Sequence, residues 1–264
     1  MRNLTKFIDV PEPLKREGSA EQTKVEPQRF CVATSNGVGN FWLLKYMASF
    51  ILKYPSYLPS LFVHSSGKDL FMQDPDLILW PQIQDRLDLK HEFLFTFHFG
   101  LYASTDYVKT YGKPKTIDEL EAHKLIRYSS HNLNPFEEAC NNLFKSPVKN
   151  EKKTFVEVNS NVTMCSFIKN GLGIGPLSHE HPLHENENLV TILPELVISK
   201  DLYANYKMDL DPKHPIIKFV YFLKSQLMQD LRTIEVHADF LQDYIVKKNK
   251  KMYASMATKL IGKI

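Results

Sequence analysis

A polar, glycine-containing turn at residues 35–40 carries the side chains best suited to bind a small ligand. Ser35 and Asn36 can donate hydrogen bonds there, and Gly37 and Gly39 let the backbone approach an anion closely. In a doubly wound sheet, ligands bind at the carboxyl ends of strands, where helix N-termini present unpaired N–H groups. Because the same groups form an ordinary helix N-cap, the turn is interpreted as either a cap or a ligand site.

Other residue patterns argue against catalysis and against a metal or nucleotide site. His179, His181 and His184 lie within six residues, but no cysteine or spaced carboxylate pair completes a ligand set, so a polar loop is favoured. The GVGN segment lacks GxGxxG spacing, and no GxxxxGKS/T motif occurs. No GxSxG elbow or Cys/His pair is apparent either. We therefore expect no enzymatic activity, no cofactor and no bound metal.

Composition indicates a folded, soluble protein. The chain has 264 residues, 43% of them hydrophobic and 24% charged, which is enough for the core of one large domain or two lobes. A net charge of +3 is too small to indicate a nucleic-acid surface. The three cysteines stand far apart without a CxxC pair, which argues against a zinc site and a disulfide framework. Because neither a secretory signal nor an apolar run of about 18 residues is found, we predict a cytoplasmic location without membrane contact.

The elements that must position the turn alternate between strand and helix. Strand-like apolar runs occur at residues 29–34, 58–63, 76–80, 89–104, 124–128, 154–158, 173–178, 189–193 and 201–206. Helical patterns occur at residues 41–51, 67–73, 106–111, 117–122, 135–144, 161–168 and 215–231. Such alternation predicts right-handed βαβ units and a parallel sheet. Gly100 interrupts the long aromatic strand at 89–104 near the point where a crossing between two lobes could bend, and the strand could run through both lobes.

Five successive segments resemble the landmarks of one protein family. They read VATSNGVGNFWLLKYMASFILKYP, DLILW, FGLYASTDYVKTYGKPKTIDELEAHKLIRY, VNSNVTMCSFIKNGLGIGPLS and LVTILPEL. In this order they resemble the effector-binding domain of LysR-type transcriptional regulators over residues 29–224, and the third segment is the most specific. The resemblance implies a two-lobed α/β fold like that of periplasmic binding proteins. Each lobe would contain a mixed, mostly parallel sheet flanked by helices, and two crossover segments would join the lobes around a ligand cleft.

The resemblance also implies which residues face the cleft. The family uses the turn equivalent to Ser35 and Asn36 to hold an effector carboxylate, so a small anionic metabolite is expected. The other expected cleft residues are Phe97 and His98 near the crossing, Tyr128 and Ser129 at a strand end, Asn159 and Asn161 before a helix, and Pro176 in a loop. Such a mixture of donors and apolar walls is typical of small-molecule pockets. For His98 the favoured alternative is a packed histidine hydrogen-bonded within the sheet, and for Pro176 it is a turn.

The chain divides into four parts on the same resemblance. Residues 1–28 are expected to be a loose leader, residues 29–100 and 205–231 to form lobe I, residues 101–204 to form lobe II, and residues 232–264 to be a basic extension. For the extension, a solvated charge run is favoured over contact with nucleic acid, membrane or a partner helix. The family's winged helix-turn-helix has no counterpart before Arg29. DNA contact is therefore expected only through a helix-turn-helix outside this sequence.

The leading hypothesis is a small-molecule effector-sensing domain that regulates transcription and forms a homodimer or larger oligomer. Effector binding would close the cleft and shift the lobes and subunits relative to one another. A solute-binding protein of a transport system shares the two-lobed architecture, but it would have to be exported. A degraded regulator remnant that acts only as a dimerisation module is the third hypothesis.

Overall fold

The protein's structure, a computed structural model, describes residues 26–131, 133–144, 154–181 and 188–234. The strands are β1 (Gln28–Ser35), β2 (Tyr57–His64), β3 (Leu77–Trp80), β4 (Leu89–Ser104), β5 (Leu125–Tyr128), β6 (Thr154–Val158), β7 (Gly175–Ser178), β8 (Leu189–Ile192) and β9 (Ile198–Lys207). The α-helices are α1 (Leu44–Lys53), α2 (Thr105–Tyr111), α3 (Pro135–Asn142), α4 (Asn161–Lys169) and α5 (Pro215–Ile234). Most of the expected leader and of the expected basic extension lies outside the described residues.

Strand β1 lies between β2 and β3 and runs parallel to both. Its alternate residues reach two different cores. Val32 belongs to the main core together with Leu77 of β3, whereas Ala33 belongs to a smaller cluster that includes Leu70 and Trp80. Because both faces of the strand are covered, its residues are apolar without alternation, and the strand was predictable from that run.

Strands β4 and β9 tie the first three strands to the rest of the sheet. The sheet order is β2-β1-β3-β9-β4-β7, and β8 also pairs with β4. A second sheet of two parallel strands, β5 and β6, completes the set of named strands in the described residues. We expected mostly parallel pairing. Four of the seven pairings between named strands are antiparallel instead, because each of them involves β4 or β9. The fold is therefore α/β with a mixed sheet and flanking helices.

Gly100 does not interrupt β4. The strand runs for 16 residues, and Gly100 pairs with Leu177 of β7 inside it. Glycine is needed there for space, because a β-carbon at this position would lie 2.7 Å from Cε1 of His179. The expected boundary between lobe I and lobe II at residues 100 and 101 thus falls within a continuous strand, and the division into lobes stays a prediction.

Two of the segments that the sequence predicts as helices form only short 3-10 helices. Residues 67–73 and 117–122 contain only the 3-10 helices Gly67–Asp69 and Asp118–Ala122. The helix after β1 begins with a π-helical segment, Val38–Leu43, before it continues as α1. The long helix α5 packs its apolar side against this region, with the ring of Phe219 4.9 Å from that of Phe50. Within the part of the chain that the structure describes, none of the helices combines the length and the apolar character that crossing a bilayer requires.

Candidate functional site

A cavity opens beside the carboxyl end of β1, where the sequence places the polar turn. The empty space around it, counted together with the open solvent at its mouth, is about 560 Å³. Its walls come from the end of β1 and the π-helical segment after it, from β4, from the end of β5 together with α3, from α4, and from the residues at and after the end of β7. The lining residues are Ser35, Gly37, Val38, Phe41, Trp42, Phe97, Phe99, Tyr128, Asn134, Phe136, Glu137, Cys140, Asn161, Ser178, Glu180 and His181.

Four of the nine expected cleft residues are brought together in this lining. They are Ser35, Phe97, Tyr128 and Asn161. The other five lie outside it, namely Asn36, His98, Ser129, Asn159 and Pro176. The structure therefore gathers nearly half of the expected residues around one space. Contact of any of the nine with an effector stays a prediction.

Strand geometry separates Phe97 from His98. Successive side chains of a strand point to opposite faces, so Phe97 and Phe99 share the cavity face while His98 points away from it. His98 is 0% exposed, and its Nδ1 lies 2.8 Å from Oε1 of Glu180. The backbone N–H of His98 also donates to Oε2 of Glu180 at 3.2 Å. His98 is thus the packed histidine of the alternative interpretation, and it holds a carboxylate that does line the cavity.

The polar turn contains one lining residue and one outer residue. The hydroxyl of Ser35 accepts a hydrogen bond from the N–H of Val38 at 3.4 Å, as an N-cap does, and it also lines the cavity. Asn36 instead donates from Nδ2 to the hydroxyl of Ser65 at 2.8 Å, on the exposed side. Ser35 can therefore serve both as a helix cap and as a ligand contact, whereas the side-chain amide of Asn36 is hydrogen-bonded to Ser65 outside the cavity.

Tyr128 and Asn161 join two elements at the cavity wall. Asn161, at the start of α4, donates from Nδ2 to the phenolic oxygen of Tyr128 at 3.1 Å. Burial raises the pKa of Tyr128 well above its usual value, so the phenol stays neutral and keeps a proton to donate. A β-carbon on Gly37 would lie 3.2 Å from Nδ2 of Asn161. The helix start after β1 and the start of α4 therefore approach each other closely at this cavity.

The three remaining expected residues have local roles. Ser129 donates its N–H to the carbonyl of Val158, which continues the pairing of β5 with β6. Asn159 follows β6 and is exposed. Pro176 lies in β7 opposite Leu101, rather than in a loop or turn as expected. Because β7 ends the path of paired strands, a residue without an N–H fits there.

Glu137 is a lining residue that our sequence reasoning missed. It stands at the third position of α3 in a capping box: Asn134 accepts from the N–H of Glu137 at 3.1 Å, and Glu137 Oε2 accepts from the N–H of Asn134 at 3.1 Å. Burial raises the pKa of its carboxyl group to about 7. The Asn-Pro-Phe-Glu sequence was a readable signal for the capping box, although not for the cavity.

Cys140 and His181 belong to the lining, and Cys165 lies beside His181. The sulfur of Cys165 lies 3.3 Å from Nε2 of His181, and burial raises the pKa of this thiol to about 12. Burial also raises the pKa of Cys140 well above its usual value. Both thiols therefore stay protonated and are poor nucleophiles. No group of three potential metal ligands occurs in the described ranges, and His184 falls outside them.

The cavity is apolar and carries little positive charge. Five phenylalanine or tryptophan rings line it, whereas its ionisable side chains are two carboxylates, one thiol, a phenol and a histidine. No lysine or arginine belongs to the described lining. Such a wall can exclude water from a small molecule and orient it by hydrogen bonds from Ser35, Tyr128 and Asn161. Among the described lining residues, His181 is the basic side chain available to an anion.

Comparison of the sequence with protein families gives one match. The model of the LysR substrate binding domain matches residues 24–228. No curated protein sequence matches the chain.

Solved structures with the same fold come from regulatory domains. That of CrgA, a LysR-type transcriptional regulator from Neisseria meningitidis, is 22% identical with a TM-score of 0.61, and the match covers 76% of this chain and 100% of that one. The regulatory domain of AphB from Vibrio vulnificus is 19% identical with a TM-score of 0.57, covering 75% and 99%. The Synechocystis PCC6803 CcmR regulatory domain, solved in complex with 2-PG, is 20% identical with a TM-score of 0.61, covering 76% and 97%. At these identities the likeness shows the fold.

Proposed function

The chain belongs to the LysR substrate-binding domain family, and from that membership we propose that it binds a small-molecule effector in the cavity described above. The single observation that carries the proposal is the cavity itself, which lies at the carboxyl end of β1 and has walls from five separate parts of the chain. The CcmR regulatory domain, which has the same fold, was solved with the small molecule 2-PG. Binding, rather than catalysis, is the activity that we assign.

We propose that binding in this cavity is coupled to a change in shape. Ser35 and Trp42 come from the part of the chain that we expect to form lobe I, and Tyr128 and Asn161 come from expected lobe II. A ligand that contacts both sides favours the arrangement in which both contacts are made, so it shifts the equilibrium between open and closed forms. We propose Ser35, Phe97, Tyr128 and Asn161 as direct contacts.

We further propose that the protein acts as a homodimer in the cytoplasm and that DNA is contacted only through a helix-turn-helix domain of the regulator. Exposed apolar side chains support the dimer. Ile51 and Leu52 of α1 and Leu58 and Phe62 of the edge strand β2 are all more than a third exposed. Exposed apolar side chains that form a contiguous surface are typical of protein interfaces, and these four come from two successive elements.

The proposal is tested by ligand screening with the complete 264-residue chain. Trp42 lines the cavity, and Trp80 is the other tryptophan of the sequence, so Trp80→Phe leaves one fluorescent reporter at the site. We expect at least one compound of a metabolite library to raise the melting temperature and to change the Trp42 emission saturably. If compounds raise the melting temperature without changing Trp42 emission, or if none binds, the proposal fails.

A further inference from the structure

The cavity combines aromatic rings with carboxylates, and no lysine or arginine belongs to its described lining. We propose that its ligand carries an organic cation, an alkylammonium group, that lies against the aromatic rings beside Glu137 and Glu180. The inference rests on the proposed function, since it names the chemical class of the effector for the same cavity. It reverses the sign of charge that the family resemblance implies.

The aromatic rings form a continuous surface. The ring centroids of Trp42 and Phe97 are 5.8 Å apart, those of Phe97 and Phe136 5.7 Å, and those of Phe136 and Phe99 6.4 Å. A cation within about 6 Å of a ring centroid is attracted by the negative face of the ring, most strongly for tryptophan. Several rings around one space form the kind of cage that binds alkylated ammonium groups.

The two carboxylates reach the cavity from different elements and are already fixed in place. Glu137 is held by the backbone N–H of Asn134 in the capping box of α3. Glu180 is held by the ring and the backbone N–H of His98, and its side chain is only 15% exposed. A cation that enters gains attraction from both without having to order them first. Poorly hydrated carboxylates attract a cation more strongly than exposed ones do.

An anion meets less favourable conditions at the same site. Helix N-termini attract anions through unpaired N–H groups, but here side chains already accept from several of these groups. The hydroxyl of Ser35 accepts from the N–H of Val38, and Oδ1 of Asn134 accepts from the N–H groups of Phe136 and Glu137. An anion would have to displace these acceptors and also approach two carboxylates. A cation leaves all of these hydrogen bonds intact.

Three probes of nearly equal shape test the sign of the charge. Choline carries a trimethylammonium group, 3,3-dimethyl-1-butanol is its neutral isostere, and 3,3-dimethylbutanoate presents the same apolar group with a carboxylate. Each is titrated at pH 8 into the complete chain carrying Trp80→Phe, and Trp42 emission is followed. We expect choline to bind about tenfold more tightly than the neutral probe, and the carboxylate probe to bind more weakly than either.

Matched variants of two neighbouring glutamates identify the responsible carboxylate. Glu137→Gln keeps the capping box, because glutamine serves at that position as well, but it removes the charge. Glu138→Gln removes a charge from the exposed side of the same helix. We expect Glu137→Gln to weaken choline binding about tenfold, with the neutral probe unchanged, and Glu138→Gln to change neither.

The outcomes separate this inference from the proposed function. If the neutral or the carboxylate probe binds as tightly as choline, or if Glu137→Gln leaves choline binding unchanged, the proposed positive charge of the ligand is wrong. The proposal of a small-molecule site then still stands. The proposed positive charge is also wrong if none of the three probes binds but an uncharged or anionic library compound changes Trp42 emission. If neither the probes nor any library compound changes that emission, the proposed function fails together with the inference.

Discussion

His98 and Glu180 are paired behind the cavity wall, with Nδ1 of the histidine 2.8 Å from Oε1 of the glutamate. The residues are 82 positions apart in the sequence, so the pair also fastens the end of β7 to the middle of β4. Because His98 is fully buried, the pairing is protected from water and from salt. The histidine thus determines where the carboxylate stands without touching the cavity itself.

Replacing His98 by leucine should destabilise the fold, because the largely buried carboxylate of Glu180 loses its contact with the imidazole ring and keeps only the backbone N–H of residue 98. We expect a loss of about 1–3 kcal/mol in the free energy of unfolding, measured with urea. His98→Asn, which keeps an N–H near the position of Nδ1, should recover part of it. His131→Ala, at an exposed position, serves as the control. Equal stability of the His98→Leu and His131→Ala proteins would show that the pair is not stabilising.

Replacing each of two capping serines by alanine distinguishes a capping role from ligand contact. Ser35 and Ser160 each accept from a backbone N–H at 3.4 Å, but only Ser35 lines the cavity. Each change to alanine should lower the free energy of unfolding by about 1 kcal/mol. Only Ser35→Ala should also weaken the binding of the ligand found by Trp42 fluorescence. If both variants bind that ligand equally well, Ser35 is a cap and nothing more.

The buried carboxyl group of Glu137 should make stability depend on pH. Its pKa is about 7 in the folded chain and near 4.5 as a free side chain, so the folded state holds the extra proton between these values. Stability attributable to this group is therefore complete below pH 4.5, falls as pH rises, and reaches its minimum above pH 7. The total change is up to about 3 kcal/mol.

Urea unfolding at pH 5 and pH 8 measures this dependence. Other titratable groups belong to the same lining, so the difference between the variants, rather than the absolute pH dependence of one protein, is decisive. They are Tyr128, Cys140, Glu180 and His181, with Cys165 beside them. Glu137→Gln should flatten the fall in stability, whereas Glu138→Gln should leave it unchanged. If the Glu137→Gln protein loses as much stability between pH 5 and pH 8 as the wild-type protein, the pH dependence does not come from Glu137.

A charge placed on α1 should disrupt the proposed dimer. Leu52 is 60% exposed beside the edge strand β2, whereas Leu87, which is 87% exposed, lies in a separate loop. We expect Leu52→Glu to shift the mass measured by size-exclusion chromatography with light scattering from dimer to monomer. Leu87→Glu should leave the mass unchanged. A wild-type chain that is monomeric at every concentration would contradict the homodimer directly.

Much of the fold could be predicted from the sequence because its strongest signals are local. The buried run of β1, the extent of β4 and the one-sided pattern of α5 all follow from residue periodicity. The π-helical start of the first helix could not be predicted, because a π-helix and an α-helix present the same apolar spacing over one turn. The antiparallel pairing of β9 depends on partners far along the chain, which periodicity does not specify.

The cavity was predictable only in part for a similar reason. Ser35, Tyr128 and Asn161 follow or precede regular elements, so their positions could be read from strand and helix ends. Strand alternation could have excluded His98 from the expected cleft residues and added Phe99, since Phe97 and Phe99 share a face. Glu180 carried no such signal, because only its long-range contact with His98 brings it to the wall.

The alternation of β4 has a consequence for how this protein can change over evolution. Phe97 and Phe99 face the cavity while His98 and Gly100 face the other way. Insertion or loss of one residue earlier in the strand, with the pairing to β7 and β9 retained, would exchange the two sets and replace rings by a histidine and an open space. Inserting or deleting one codon would thus exchange the side chains that β4 contributes to the cavity and leave the other parts of the wall unchanged.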